Sequence, residues 1–212
     1  DAEVEAMVRF RLGLHVGRAD RCARAATDPR SKHRECPSQL TGTGRARTLH
    51  ALQCPYGARP RIRHDRVARL LQLLCLEIEG CEVEWLPRPK GIWLGDEGEP
   101  SEPDLAIRVP GWPVLYVDVA VVSPGLAAKW EGRKRASYPV WLERRRRVAG
   151  DFSPIVFDYY GAIGEQSLGT IAKLARRSAA RLGRAGAAET ERWIELLATR
   201  VQLENAAILL HH

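Results

Sequence analysis

The spacing of apolar and polar positions changes several times along the chain, and each change marks an element. Residues 3 to 14 set Val4, Met7, Val8 and Leu12 on one helical face. The stretch that follows, to about Pro60, sustains neither the helical nor the strand period, so it predicts no element and needs another source of order. From Asp65 to about Glu79, Val67, Leu70, Leu71, Leu74 and Ile78 recur at helical spacing, with Gly80 as the stop. Cys81 to Leu86 alternates as a strand. After a turn-rich stretch from Pro87 to Pro103, Leu105 to Val109 and Val114 to Val122 read as a hairpin about the turn Pro110-Gly111-Trp112-Pro113. Ser123 and Pro124 suit the N-cap and first turn of a helix running to about Tyr138, where Pro139 should interrupt it. Pro154 to Tyr159 predicts another strand, and helices at about 166 to 183 and 188 to 209 complete the chain. The order helix, three strands, helix, strand, helices predicts an α/β or α+β sandwich.

The 212 residues are 45% hydrophobic and 28% charged, enough for one core with a small annex. No apolar run reaches the roughly 18 residues of a membrane span, and the N-terminal residues carry no signal-peptide core, so neither a membrane protein nor a secreted precursor is expected. Asp1 in place of a start Met, and a terminal His211-His212 like a tag remnant, suggest a segment of a longer polypeptide.

Charge sharpens this picture. The net charge is +7, and only five of the 33 basic residues are Lys: Lys32, Lys90, Lys129, Lys134 and Lys173. The run Arg144, Arg145, Arg146, Arg147 and the group Arg176, Arg177, Arg181, Arg184 should draw polyanions, because each neutralised phosphate releases counterions. A coding sequence that prefers Arg codons would give the same excess on solvated helix faces. Five Cys without a secretory signal do not suggest a disulfide framework. Cys75 and Cys81 lie in apolar surroundings and read as small core residues, whereas Cys22, Cys36 and Cys54 keep company with His33 and His50 in the aperiodic stretch. These are metal-ligand types, and zinc would order a segment that cannot bury a core.

The strongest chemical signal is Asp118. Its strand is otherwise apolar on both faces, which is how a doubly covered central strand reads. A buried carboxylate costs several kcal/mol unless it is protonated, paired or bound to a cation. Folding the hairpin brings Asp104 to within about one residue of opposite Asp118, and two like charges there repel. Two readings stand at this point: a divalent cation between the acids, with Mg²⁺ suited to carboxylate and water ligands, or Asp104 as a turn residue with Asp118 in a salt bridge to an Arg.

Pro103-Asp104, thirteen further residues and then Asp118 inside a hydrophobic strand resemble the PD-(D/E)XK nuclease superfamily. In the usual form of that superfamily a Lys follows the second acid by two residues, where this chain has Ala120. The departure agrees with one branch, the restriction-like endonuclease domain at the C-terminal end of site-specific non-LTR retrotransposon proteins, in which the Lys lies on the next helix. Lys134, a turn before Tyr138, stands at that place. Thr48-Leu-His50-Ala-Leu-Gln-Cys54 resembles the second half of the branch's zinc motif, and Arg63-His64-Asp65 its Arg-His-Asn triplet with one residue changed. Tyr160-Gly161-Ala-Ile-Gly164 with Ser167 resembles the turn after its last strand, and Arg9-Phe-Arg-Leu-Gly13 the linker after its reverse transcriptase. The resemblance spans roughly residues 9 to 184.

It implies a division into residues 1–20, a helical linker from the reverse transcriptase; 21–60, a zinc-binding segment; 61–186, the endonuclease core; and 187–212, a C-terminal helix. It implies Mg²⁺ or Mn²⁺ held by Asp104 and Asp118, with Lys134 acting on the water or the developing charge. Lys129 is the rival, but five helical residues turn it about 140° away. Tyr138 would pack on the Lys134 stem. Arg63, His64, Arg144, Arg145 and Arg146 would meet DNA. Cys36, His50 and Cys54 would hold a structural zinc, the fourth ligand being Cys22 by residue type or His33 by its spacing to Cys36. The implied partners are double-stranded target DNA, the upstream reverse transcriptase and the element RNA, with no membrane and a nuclear location. Ala120 and the altered zinc half also admit a second reading, a zinc-bearing nucleic-acid-binding module on a degenerate nuclease fold.

The zinc expectation is directly measurable. Metal analysis of the purified protein should give about one Zn per chain. His50→Ala or Cys54→Ala should eliminate it, and of Cys22→Ala and His33→Ala only one should lower it.

Overall fold

The elements follow from a computed structural model, which describes residues 2–11, 44–54, 59–86, 103–145 and 150–210. In chain order they are α1 (Ala2–Arg11), α2 (Gly44–Gln53), α3 (Arg59–Cys75), β1 (Glu82–Trp85), β2 (Leu105–Arg108), β3 (Leu115–Val122), α4 (Ala127–Arg145), β4 (Asp151–Asp158), α5 (Glu165–Leu182) and α6 (Gly186–Leu210). The strands form one sheet in the order β1-β2-β3-β4. The β1–β2 and β2–β3 pairs are antiparallel, and α4 carries the chain across to a parallel β4. The fold is thus mixed α/β. No helix among the described residues is long and apolar enough to cross a membrane.

Both faces of the sheet are covered, as the apolar reading of β3 requires. On one face Ile107, Val117, Val119, Ile155 and Phe157 pack under Leu71 of α3, Leu174 of α5 and Trp193 and Leu197 of α6. On the other, Ala106, Tyr116 and Phe152 meet Trp141 of α4, and Ala120, Val122 and Val156 meet Trp130. A smaller cluster joins Met7 of α1, Ala51 and Leu52 of α2, Tyr159 and the end of α6.

The structure differs from the periodicity at several places. α2 lies in the stretch without a period: its ten residues have only a short apolar face, and burial of Ala51 and Leu52 in the cluster shared with α6 holds them helical. α3 starts at Arg59 rather than Asp65, with Pro60 in its first turn where a missing N–H is harmless. Ser123 and Pro124 do not cap α4. They form a turn in which Leu126 N–H donates to Ser123 C=O at 3.2 Å and Gly125 takes φ +80°, so Pro and Gly occupy the two central positions of a type II turn. α4 continues through Pro139 to Arg145, because Tyr138, Trp141 and Leu142 on either side of the proline are packed on the sheet.

Pro154 stands inside β4, which is an edge strand, so the absent N–H removes no ladder bond. Beyond the proline that edge is occupied. Val156 N–H donates to the Ser167 hydroxyl at 2.8 Å, Gly164 N–H to Val156 C=O at 2.9 Å, and Asp158 N–H to Ala162 C=O at 2.8 Å. No strand can add there.

The α5–α6 connection turns on Gly183, in the left-handed region at φ +63°, and on Glu189, a buried carboxylate. Arg192, Arg184 and the Trp193 indole N–H all donate to Glu189. These bonds, those of Arg192 foremost, hold its carboxyl down to about 2, from an ordinary 4.5, against the opposing effect of burial. A depressed folded-state pKa contributes stability that is complete above about pH 4.5 and lost as pH falls toward 2. Urea unfolding at a series of pH values should show this loss, and Glu189→Gln should remove that part of the dependence.

Candidate metal centre

The hairpin register sets the acids. Leu105 pairs with Val117, so continuing the ladder by one position puts Asp104 directly opposite Asp118. Asp104 N–H donates to Val117 C=O at 2.7 Å, which fixes it against β3. Both acids are 3% exposed. β3 runs on past the end of β2, and the peptide of Val119 is met there by side chains. Its N–H donates to Asp104 Oδ2 at 2.8 Å, and its C=O accepts from His64 Nε2 at 3.0 Å.

His64 arrives from the first turns of α3. Its Nε2 is also 3.0 Å from Asp104 Oδ2, and Nδ1 is 3.3 Å from Asp65 Oδ1. Because Nε2 faces two acceptors, it carries the proton in this arrangement. The imidazole is therefore a donor that orients Asp104. Lys134 reaches Asp118 from the other layer, with Nζ 2.6 Å from Oδ1, and is 7% exposed. Lys129, on the opposite side of α4, is exposed. The helical-wheel argument thus separates the two lysines in the direction expected, and Lys134 is a partner of Asp118 among the described residues. Ala120 points to the same face as Asp118 and packs near Trp130, so the lysine at the acids comes from α4.

One ligand atom each from His64, Asp104 and Asp118 lies within 4.8 Å of the others. Two buried carboxylates on adjacent strands are the donor type that a hard divalent cation takes. With its Nε2 protonated, His64 would serve such an ion through Asp104, leaving the two acids as the ligands.

Other expected site residues lie elsewhere. Arg63 is 5% exposed; its guanidinium donates to Asn205 Oδ1 at 2.7 Å and lies 5.0 Å over the Tyr159 ring. It ties α3 to α6, which corrects the expectation of a DNA contact: a buried guanidinium bonded to Asn205 cannot meet a phosphate on the surface. His64 likewise faces Asp104, not an outer surface. Tyr138 joins an aromatic cluster with Tyr116, Trp141 and Phe152, stacked at 4.6 Å on Phe152, and its hydroxyl donates to Gly150 C=O at 3.1 Å. Burial first, then the neighbouring Tyr116 and Asp151, push this phenol up to about 12. It is a packing residue. Arg144 and Arg145 end α4, but their side chains and all of Arg146 lie outside the described residues, as do Cys22, His33 and Cys36. His50 is half-buried in α2 and Cys54 is buried just beyond it, with Cys54 N–H donating to His50 C=O at 2.7 Å.

The inward placement of His64 has a signal in the sequence. His64, Val67 and Leu71 recur at i, i+3 and i+7, so the apolar face of α3 extends back to the imidazole, and Arg63 with Val67 lies on that face too. In comparison with known proteins, the chain matches no family model, no curated protein and no solved structure.

The Lys134–Asp118 pair changes what an alanine at Asp118 should do. From sequence, Asp118→Ala removes a buried charge and should leave the fold intact or more stable; with Lys134 at 2.6 Å, it instead removes the carboxylate that faces a buried ammonium. Asp118→Ala should therefore destabilise by about 3–5 kcal/mol. The double variant Asp118→Ala/Lys134→Met should recover most of this in urea unfolding.

Proposed function

We propose that the chain is a metal-dependent DNA endonuclease of the restriction-like kind associated with site-specific non-LTR retrotransposons, which nicks target DNA so that reverse transcription can be primed. One observation carries the reading. A buried acid immediately before β2 stands opposite a buried acid on β3, and a lysine from the crossover helix contacts the second of them. An acid pair with a Lys at this relation is what the resemblance to the restriction-like branch implies, and the position of Lys134 agrees with the Ala120 departure.

Asp104 and Asp118 would hold Mg²⁺ or Mn²⁺, which when bound polarises a phosphoryl oxygen and lowers the pKa of a water. The chain's own groups do the rest. The Val119 N–H and the His64 Nε2–H fix the orientation of the Asp104 carboxylate. The Lys134 ammonium, beside Asp118, orients the attacking water or meets the charge that develops on the phosphate. The apolar strand around Asp118 keeps bulk water from weakening these interactions. The zinc segment, the Arg-rich end of α4, duplex DNA, the reverse transcriptase, the element RNA and a nuclear location belong to the same proposal.

The second reading, a non-cleaving nucleic-acid-binding module, is favoured by one observation: each acid already has a cationic or hydrogen-bonding partner within the chain, so the buried charge is compensated without a metal. A plasmid-nicking assay separates the two. Nicking should appear with Mg²⁺ and vanish with EDTA. Asp118→Ala, measured at a temperature where it is folded, should abolish it. Lys134→Ala should lose cleavage while retaining most DNA affinity, and Lys129→Ala should change neither. Unchanged nicking by Asp118→Ala would end the nuclease assignment.

A further inference from the structure

Glu131 is a buried carboxylate that the cation site does not use. It is 1% exposed and lies on α4 one turn before Lys134. Its Oε1 accepts from the Ser167 N–H at 2.9 Å and from the Ser167 hydroxyl at 2.6 Å. Ser167 is the third residue of α5, so this carboxylate meets one of the N–H groups that a helix start leaves without an internal partner, at the positive end of the helix dipole. The same hydroxyl accepts from Val156 N–H at 2.8 Å and lies 3.1 Å from Pro154 C=O. Pro154 and Val156 stand beside Asp118 and Ala120 in the parallel ladder. A short chain of contacts therefore leads from the helix that carries Lys134, through Glu131 and Ser167, to the strand beside Asp118. Arg135 adds an exposed strut between the same two helices, its Nε donating to Gln166 Oε1 at 3.0 Å.

Gly164 gives the second, independent observation. Its φ of −66° and ψ of 153° suit any L-residue, so the backbone does not ask for glycine. A Cβ built there would stand 2.1 Å from Glu131 Oε1. The glycine makes room for the carboxylate. A buried carboxylate is tolerated only while its hydrogen bonds are made, so it favours one placement of α4 over the small shifts that an apolar contact would permit.

We propose that Glu131 is the positioning residue for Lys134: by fastening α4 to the first turn of α5 and to the outer edge of β4, it sets where the ammonium stands relative to Asp118. The role in cleavage rests on the nuclease reading above; the geometric role does not.

The test uses two readouts. With only five Lys in the chain, ¹³Cε-lysine labelling gives a simple NMR spectrum, in which Lys134→Arg identifies the Lys134 signal by its disappearance. Glu131→Ala should move that signal and lower the cleavage rate at saturating DNA and Mg²⁺ by tenfold or more, with DNA affinity within twofold of the parent. Glu131→Gln should retain both, because an amide oxygen accepts the same two bonds. Gly164→Ala, which leaves Glu131 in place but crowds it, should reproduce the loss. An unmoved Lys134 signal in Glu131→Ala and Gly164→Ala overturns the proposal, as does a loss of DNA affinity with an unchanged saturated rate. If Glu131→Ala does not fold, Gly164→Ala and Glu131→Gln decide on the same criteria. A parent that never cleaves, with a Lys134 signal that still moves, removes the nuclease reading and leaves the positioning role standing.

Discussion

A carboxylate in the middle of β3 sets the terms for much of the molecule. Asp118 sits in a strand with neighbours on both sides and helices over both faces, where an uncompensated charge would cost several kcal/mol. Its compensation comes from the layer above, through Lys134. For that ammonium to arrive, α4 must lie across the Asp118 face of the sheet, and a helix in the connection between β3 and β4 does so when those strands are parallel. The hairpin then fixes Asp104 opposite, and Asp104 in turn is held by the Val119 N–H and by His64 from the other layer. Elements from both helical layers are thereby tied to one point in the sheet.

How much of this was legible in the sequence depended on whether a residue's environment was set by local pattern or by distant contacts. β3 and the hairpin were legible, since an apolar run broken by a single Asp and a Pro-Gly-Trp-Pro turn constrain each other over a few residues. The register followed to within about one position, and with it the opposition of the acids. Helix geometry separated Lys129 from Lys134, and the family resemblance pointed to Lys134 as the one that turns inward. By contrast, the persistence of α4 beyond Pro139 depends on Trp141 finding the Tyr116 and Phe152 rings, which no local pattern encodes. α2 is held by a cluster whose other members are up to about 160 residues away in the chain.

Arg63 and His64 show the limit in another way. As residue types at a helix start, a basic pair suggests phosphate, and the surplus of Arg in the chain strengthens that suggestion. Position overrides type. Both residues fall on the buried side of α3, and what each meets there, Asn205 and Tyr159 for one, Asp104 for the other, comes from elements that sequence spacing could not bring together. Ser167 is the same kind of case: a serine near a helix start reads as a local cap, yet it bonds Glu131 of α4 and the edge of β4.

The charge count of the cluster bears on what it can bind. Asp104 and Asp118 with Lys134 leave a single net negative charge, His64 and its neighbour Asp65 being left out of the count. A divalent cation between the acids would turn this into a single positive charge in a site that excludes water, and a buried net charge of either sign is unfavourable. One phosphodiester beside the cation would cancel it. The cluster is therefore better balanced with cation and phosphate together than with the cation alone. An acid pair without the lysine would be neutral with the cation and would gain a net negative charge on taking up the phosphate. On the proposed nuclease reading Lys134 would do more than compensate Asp118 in the folded protein: with a cation bound it would leave one positive charge for an anionic diester to cancel.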